Sequence, residues 1–420
     1  MTETAISPTR LGYDLVDADN HYYEPYDAFT RYIDPAFADR SINVRVDAKG
    51  RGKLYFGDRQ FRYMRVIQTD YIGAPGSLRG MLDDMDNQEG FVHKEIIRGW
   101  DYPDMMQRDP RIAKMNSQGV RGGLMLGTMM LQAENELHDD VPALYANIRA
   151  YNKWLDDEWG YNRDGRIVTA PMITLLDPEL AIAELERVLQ LGARAVVMKP
   201  GPLWGHSPVE SIYDGFWSRL QEANAKLVFH STDPRYLAML GVQFGESATP
   251  SMQGQTPFQW YLTAGKPIAD TLANYTLNNL FGRFPGLQLV ALECGIGWVV
   301  PLLHDMDHAA HMGRKGYWPG GEVEGHPSKV LMEHLHISPF YEEDIVGLVN
   351  TIGADRVMFG SDYPHPEGCV EPIDYADRLV GLSDDQVRLI MRDNAAKLYG
   401  IAVLAPPSLP DPRRPGCPVL

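Results

Sequence analysis

The sequence predicts an α/β chain folded as a (β/α)8 TIM-type barrel, with a β-rich insertion after the first strand and a second insertion after the fifth. Three observations lead to that expectation. Strand-like runs recur near residues 14, 123, 168, 195, 227, 289, 336 and 357. Segments with helical apolar spacing separate nearly all of them, and eight such units suit a closed barrel better than an open doubly wound sheet. Finally, neither Gly-x-Gly-x-x-Gly nor Gly-x-x-x-x-Gly-Lys-Ser/Thr stands at a strand–helix junction, which argues against a nucleotide-binding sheet.

Taken in order, Tyr13 to Asp19 (YDLVDAD) reads as the first strand and leads into Asn20-His21-Tyr22-Tyr23-Glu24-Pro25. The stretch over about residues 26–108 is far longer than an ordinary barrel connection. Within it INVRV, KLYF and FRYM alternate apolar and polar residues, with turns at Asp47-Ala48-Lys49-Gly50 and Gly57-Asp58, so β-hairpins are expected. A regular rhythm then begins at Asp109-Pro110: helix 111–118, strand 122–127, helix 141–159, strand 166–175, helix 178–191, strand 193–198, helix 213–224 and strand 226–229, which ends in His230. The polar, Gly- and Pro-containing stretch over about residues 231–268 reads as the second insertion. Helix 271–284, strand 287–292, helix 296–311, a glycine-rich loop over 313–327, a short strand at 335–338 and helix 341–351 follow. Strand 356–359 runs directly into Gly360-Ser361-Asp362, and 384–398 is the last helix. Residues 1–400 are therefore expected to form one barrel domain. Residues 401–420 contain six prolines and cannot continue helix or central sheet, so they form a tail.

Composition narrows the function. Hydrophobic residues at 44% and charged residues at 23% suit a globular chain with a large core. A formal net charge of −17 argues against non-specific binding to nucleic acid or to anionic membranes. The cysteines Cys294, Cys369 and Cys417 lack metal-type spacing, which excludes a disulfide scaffold or a cysteine zinc cluster and suits a reducing cytosol. Met1 to Asp14 lacks a signal-like start, and no run reaches the ~18 apolar residues of a membrane span. A cytoplasmic protein with a small-molecule substrate is expected, with the tail and insertions as surfaces for a homo-oligomer, dimer or tetramer.

The chemistry should lie at the strand ends, where barrels place it. Asp19-x-His21 closes the first strand, and alternation turns both side chains to one face. Lys199 follows the fourth strand, His230 the fifth, Glu293 the sixth and Asp362 the eighth. Two imidazoles with two or three carboxylates suit a divalent transition metal: zinc is expected, with manganese or iron as alternatives. Each residue also has a plainer reading. Asp362 can cap a turn, His230 can be a turn residue, and Lys199 can be a structural ion-pair partner rather than a substrate contact. His304, His308 and His311 share a helix face, beside Asp305 and Asp307, and read as a solvated face or a second metal site, with His304 the one expected near the pocket. His334 and His336 read as a structural or substrate-side pair. Trp298 and His365 are candidate substrate contacts.

Four quoted stretches fall in a familiar order: Asp17-Ala18-Asp19-Asn20-His21-Tyr22-Tyr23-Glu24-Pro25, His230 after KLVF, Glu293-Cys294-Gly295-Ile296-Gly297-Trp298, and Gly360-Ser361-Asp362-Tyr363-Pro364-His365. Over roughly residues 14–29 and 109–400 the chain resembles the amidohydrolase-related enzymes of the aminocarboxymuconate-semialdehyde decarboxylase group, which includes γ-resorcylate and other aromatic-acid decarboxylases. The resemblance implies a distorted (β/α)8 barrel with one metal ion, held by Asp19, His21, His230 and Asp362. The group often has His or Glu where this chain has Asp19, and a catalytic histidine where it has Glu293. The activity it implies is non-oxidative decarboxylation of a small aromatic or enolic acid, with Asp362, or a group it relays through, protonating the ring carbon. A hydrolase of an amide, ester or lactone is the alternative, with Asp362 as base and Glu293 or His304 as acid. A barrel without catalysis would bind no metal.

Overall fold

The computed structural model describes residues 5–84, 95–232, 235–314 and 316–403. The chain enters on β1 (Leu15–Tyr22) and then makes two small antiparallel sheets, one of β2 (Ile42–Val46), β3 (Gly52–Phe56) and β4 (Arg59–Gln60), the other of β5 (Ile72–Gly73) and β6 (Ile96–Ile97). Six parallel strands follow: β7 (Val120–Gly127), β8 (Ile167–Thr169), β9 (Ala195–Met198), β10 (Lys226–His230), β11 (Leu289–Leu292) and β12 (Leu335–Ser338). They form two parallel sheets, ordered β1-β7-β8 and β9-β10-β11-β12. Every residue of β1 is buried, including Asp17, Asp19 and His21, as expected for a strand covered on both faces.

Backbone hydrogen bonds join the two sheets at both edges. On one side Ile173 N–H donates to Val197 O (3.0 Å) and Val197 N–H to Pro171 O (3.0 Å). On the other, the extended segment 357–359 lies between β12 and β1. Met358 N–H reaches Ile337 O at 2.9 Å, and Ala18 N–H reaches Phe359 O at 2.9 Å. The eight expected strand positions therefore follow one another around a ring, and two of them pair through single bridges rather than ladders. For strand 166–175 the reason is Pro171, which has no N–H to donate. At the eighth position the chain leaves a 3-10 turn (Ala354–Arg356), and Phe359 N–H bonds not to a strand but to Ile390 O at 3.0 Å. Ile390 sits in a π-turn (Leu389–Asp393) inside the expected last helix, and the wider turn leaves its carbonyl free to accept.

Other departures have equally local causes. FRYM is not a strand: β4 is Arg59–Gln60, and Arg62 N–H leaves the sheet to donate to Glu136 Oε1 at 2.8 Å. The helix expected over 271–284 begins earlier, as Lys266–Leu277, and restarts as Leu280–Arg283. Asn279 interrupts it with φ of 57°, a left-handed conformation that asparagine tolerates. The glycine-rich loop leads into an unexpected helix, Pro327–His334, with proline at its first turn. The helix expected from residue 341 starts at Ile345, where the Asp344 carboxylate accepts from Gly347 N–H at 2.9 Å. Most of the predicted tail, 404–420, lies outside the described residues. No helix among the described residues is long and apolar enough to cross a membrane.

Candidate metal centre

Four strand ends bring six side chains together. On β1, alternation puts Asp19 and His21 side by side, with His21 Nε2 3.2 Å from Asp19 Oδ1. His230, the last residue of β10, holds its Nδ1 2.9 Å from Ser231 O, which fixes the proton there and turns the Nε2 lone pair inward. His230 Nε2 stands 3.3 Å from His21 Nε2. Glu293, just past β11, places Oε2 3.3 Å from His230 Nε2 and Oε1 3.8 Å from His21 Nε2. Asp362, past the segment 357–359, places Oδ1 3.4 Å from His21 Nε2 and 2.7 Å from His365 Nδ1. The His365 ring stacks on His21 with centroids 4.1 Å apart. Glu293 (φ 49°) and Asp362 (φ 54°) are both non-glycine residues in the left-handed region, so the backbone is strained at two of the strand ends.

A buried network sets these positions. Asp17 accepts from Ser361 N–H (2.9 Å), Asp19 N–H (3.1 Å) and Asn20 Nδ2 (2.9 Å), tying the eighth strand end to the first. Arg111, fully buried, donates to Asn20 Oδ1 and to Asp104 O. Glu343 accepts from Ile296 N–H (2.7 Å) and Phe340 N–H (2.9 Å), which clamps the loop that carries Glu293. None of these was picked out from the sequence. Asp17 and Ser361 stand inside the motifs already singled out and could have been found there. Arg111 and Glu343 carry no local signal, because their partners are distant in sequence.

The donor set fits one divalent cation. Burial pulls His21 well below the usual imidazole range, helped by His365 and His230, and it lowers His230 too, which favours the neutral ring whose lone pair can bind a cation. Burial and the Glu293 charge push Asp19 and Asp362 well above the carboxylate range, a crowding that a cation would relieve. Glu293 is held low against burial by His230 and His365. Against burial, Asp362 and then Glu293 lift His365 well above the ordinary range. Asp19 Oδ1, Glu293 Oε1 and Asp362 Oδ2 are buried without a hydrogen-bond partner, as expected of atoms that face an ion. Two overlapping sets each bring four ligand atoms within 4.8 Å of one another: Asp19, His21, His230 and Glu293, and His21, Glu293, Asp362 and His365.

Not every expected residue joins them. His304 is a correction: its side chain is 79% exposed, its Nδ1 3.0 Å from Asp305 Oδ1, and it stands on the outer face of its helix with His308 rather than at the pocket. Lys199 is buried in an ion pair with Glu134 at 3.1 Å, and neither residue lines the cavity above the cluster. His334 bonds to Leu287 O at 2.7 Å, and burial pulls His336 down to about 4. Trp298 does reach the cavity, with Nε1 donating to Gly295 O at 2.7 Å. That cavity measures about 1400 Å³, and His230, Glu293 and His365 line it together with Trp260 and Trp298.

The sequence profile of the amidohydrolase family matches residues 16–401. The solved structure of an amidohydrolase from Mycobacterium avium subsp. paratuberculosis K-10 is 34% identical, aligned over 92% of this chain and 99% of that one, with a TM-score of 0.84. A 5-carboxyvanillate decarboxylase from Novosphingobium aromaticivorans DSM 12444, complexed with manganese and 4-hydroxy-3-methoxy-5-nitrobenzoic acid, aligns over 95% of this chain and 99% of that one at 16% identity and a TM-score of 0.56. A dihydroxybenzoic acid decarboxylase from Polaromonas sp. JS666, with bound manganese and the inhibitor 2-nitroresorcinol, aligns over 72% and 90% at 18% identity and a TM-score of 0.54. The last two are similar in fold. None of the curated proteins compared with the chain matches it.

Proposed function

The chain belongs to the amidohydrolase family and is a metal-dependent enzyme, and from that premise we propose that it is a carboxy-lyase acting on an organic acid with a hydroxyl or oxo group beside its carboxylate. The observation that carries this reading is the buried carboxylate–imidazole cluster, with three partnerless carboxylate oxygens, at the floor of a cavity. Asp19, His21, His230 and Glu293 would hold the ion, since these four bring their donor atoms within 4.8 Å of one another, and Asp362 belongs to a second such set that shares His21 and Glu293. The sequence placed Asp362 among the ligands. Its partnerless Oδ2 supports that ligand role, and the 2.7 Å contact of its Oδ1 with His365 supports a further role in holding a proton. Manganese in the two decarboxylases similar in fold makes it the first ion to test, ahead of the zinc expected from the sequence.

When bound, the ion supplies Lewis-acid polarisation of the chelated oxygens. His365 lines the cavity, and Asp362 and then Glu293 raise its hold on a proton against burial. His365 is thus the group through which Asp362 relays a proton to the ring carbon that bears the carboxylate. The carbon–carbon bond then breaks, its electron pair returns to the ring, and CO₂ leaves. Asp362 orients the imidazole through Nδ1, and Thr128 Oγ1 stands 3.3 Å from its Nε2. The test is to load the protein with manganese or zinc and offer 2-hydroxybenzoates alongside amides and lactones. CO₂ release is expected; hydrolysis products alone would overturn the carboxy-lyase reading in favour of the hydrolase.

A further inference from the structure

The cavity is far larger than a single-ring acid requires. A pocket of about 150 Å³ holds benzene, and pockets for drug-sized ligands run to about 1,000 Å³, whereas this cavity measures about 1400 Å³. Its extra room has a definite direction. On helix Lys266–Leu277, residues Ala269, Ala273 and Leu277 recur at helical spacing along the cavity. On helix Val299–Met312, residues Leu302, Met306 and Ala309 do the same. Trp298 stands at the start of the second stripe, on the loop that carries Glu293, and both residues line the cavity. From Trp298 to Ala309 the stripe runs about 16 Å at a helical rise of 1.5 Å per residue. The alanines keep the first helix's cavity-facing side shallow, and the methionine can adapt to varied shapes.

We propose that the substrate is an elongated amphipathic acid, its carboxylate head at the His230–Glu293–His365 floor and a long apolar body lying in the groove between helices Lys266–Leu277 and Val299–Met312. This deepens the carboxy-lyase reading and rests on it only for the placement of the head group. The body fits here because each helix presents an apolar stripe to the cavity, flanked by Lys266, Asp270 and Asp305, and the stripes run several times the length of one ring. A flat monocyclic acid would leave the far residues Met306, Ala309 and Leu277 without contact.

The test measures binding by calorimetry on the full, manganese-loaded chain. The probes are 2-hydroxybenzoate and its 4-alkyl derivatives with chains of four, eight and twelve carbons. Each buried methylene should tighten binding about twofold to fourfold, so every four-carbon step should lower Kd by at least about tenfold until the groove is full. Ala273→Asp or the exposed-site variant Ala309→Asp should flatten that dependence, the second serving if the first does not fold. Chain-length dependence without CO₂ release from any probe supports the groove and removes the carboxy-lyase reading. CO₂ release with a Kd indifferent to chain length overturns the groove and leaves that reading intact. A flat dependence together with a dimer that Ala309→Asp dissociates in sedimentation also overturns the proposal, since a second copy would then fill the groove.

Discussion

At the scale of single residues, the cluster divides into groups that hold an ion and groups that hold a proton, and substitutions should separate the two. His230→Ala removes an imidazole whose Nε2 is 3.3 Å from both His21 and Glu293. It should cut manganese content well below one equivalent and abolish turnover together. His365→Gln should retain the metal, measured by elemental analysis, while kcat falls by a factor of about 10² to 10⁴, the usual span of a lost general acid. A second residue is informative because it lies outside the cluster. Glu24 is 1% exposed, and burial raises its carboxyl to about 7 although Met129 and Thr128 N–H groups donate to it. The folded state therefore holds this proton more tightly than the unfolded chain. Its contribution to stability is present in full below about pH 4.5 and is lost as pH rises through about 7. Guanidinium unfolding at pH 5 and pH 8 should show the wild type losing about 2 to 3 kcal/mol relative to Glu24→Gln over that interval. Equal losses in the two proteins would show that Glu24 ionises normally.

At the scale of elements, the seam between β12, the segment 357–359 and β1 decides whether the site is assembled. Gly360 lies on it without needing a left-handed φ. A Cβ there would meet Ser338 Oγ at 2.5 Å and Asp19 Cβ at 2.6 Å. Gly360→Ala should therefore push the eighth strand end from the first, costing about 1 to 3 kcal/mol as overpacking does. It should weaken manganese binding in the same titration, although no ligand has been touched. The same seam explains what could be read from the sequence. Strand-end residues were legible because period-two alternation on β1 and abrupt apolar-to-polar transitions at His230, Glu293 and Asp362 are local signals. The supports were not, because Asp17–Ser361 and Arg111–Asn20 join residues hundreds or tens of positions apart. His304 misled because helical spacing shows which residues share a face but not which way that face points. Its outward orientation was set by the neighbours of Leu302 and Met306, which took the inner side.

At the scale of the whole molecule, the centre sets function against stability. Three carboxylates and three imidazoles are drawn into one buried volume on strands whose other residues are among the least exposed in the chain. Without a cation, Asp19 and Asp362 answer that crowding with raised pKa values caused by burial and by Glu293. With a cation, the same charges become attractive. Manganese at a thousand times its Kd should therefore stabilise the fold by about 4 kcal/mol. For a chain of 420 residues that is a rise in Tm of about 5 °C. Asp19→Asn should behave in opposite ways in the two states. It removes the cost of burying an ionisable carboxyl beside Glu293 and keeps the shape, so the metal-free variant should melt at or above the metal-free wild type, by about 1 kcal/mol of added stability. The rise on adding manganese should largely vanish. Melting both proteins with chelator and with manganese gives four values that test this crossing. If Asp19→Asn lowers stability equally in both conditions, Asp19 serves the packing of β1 rather than a cation.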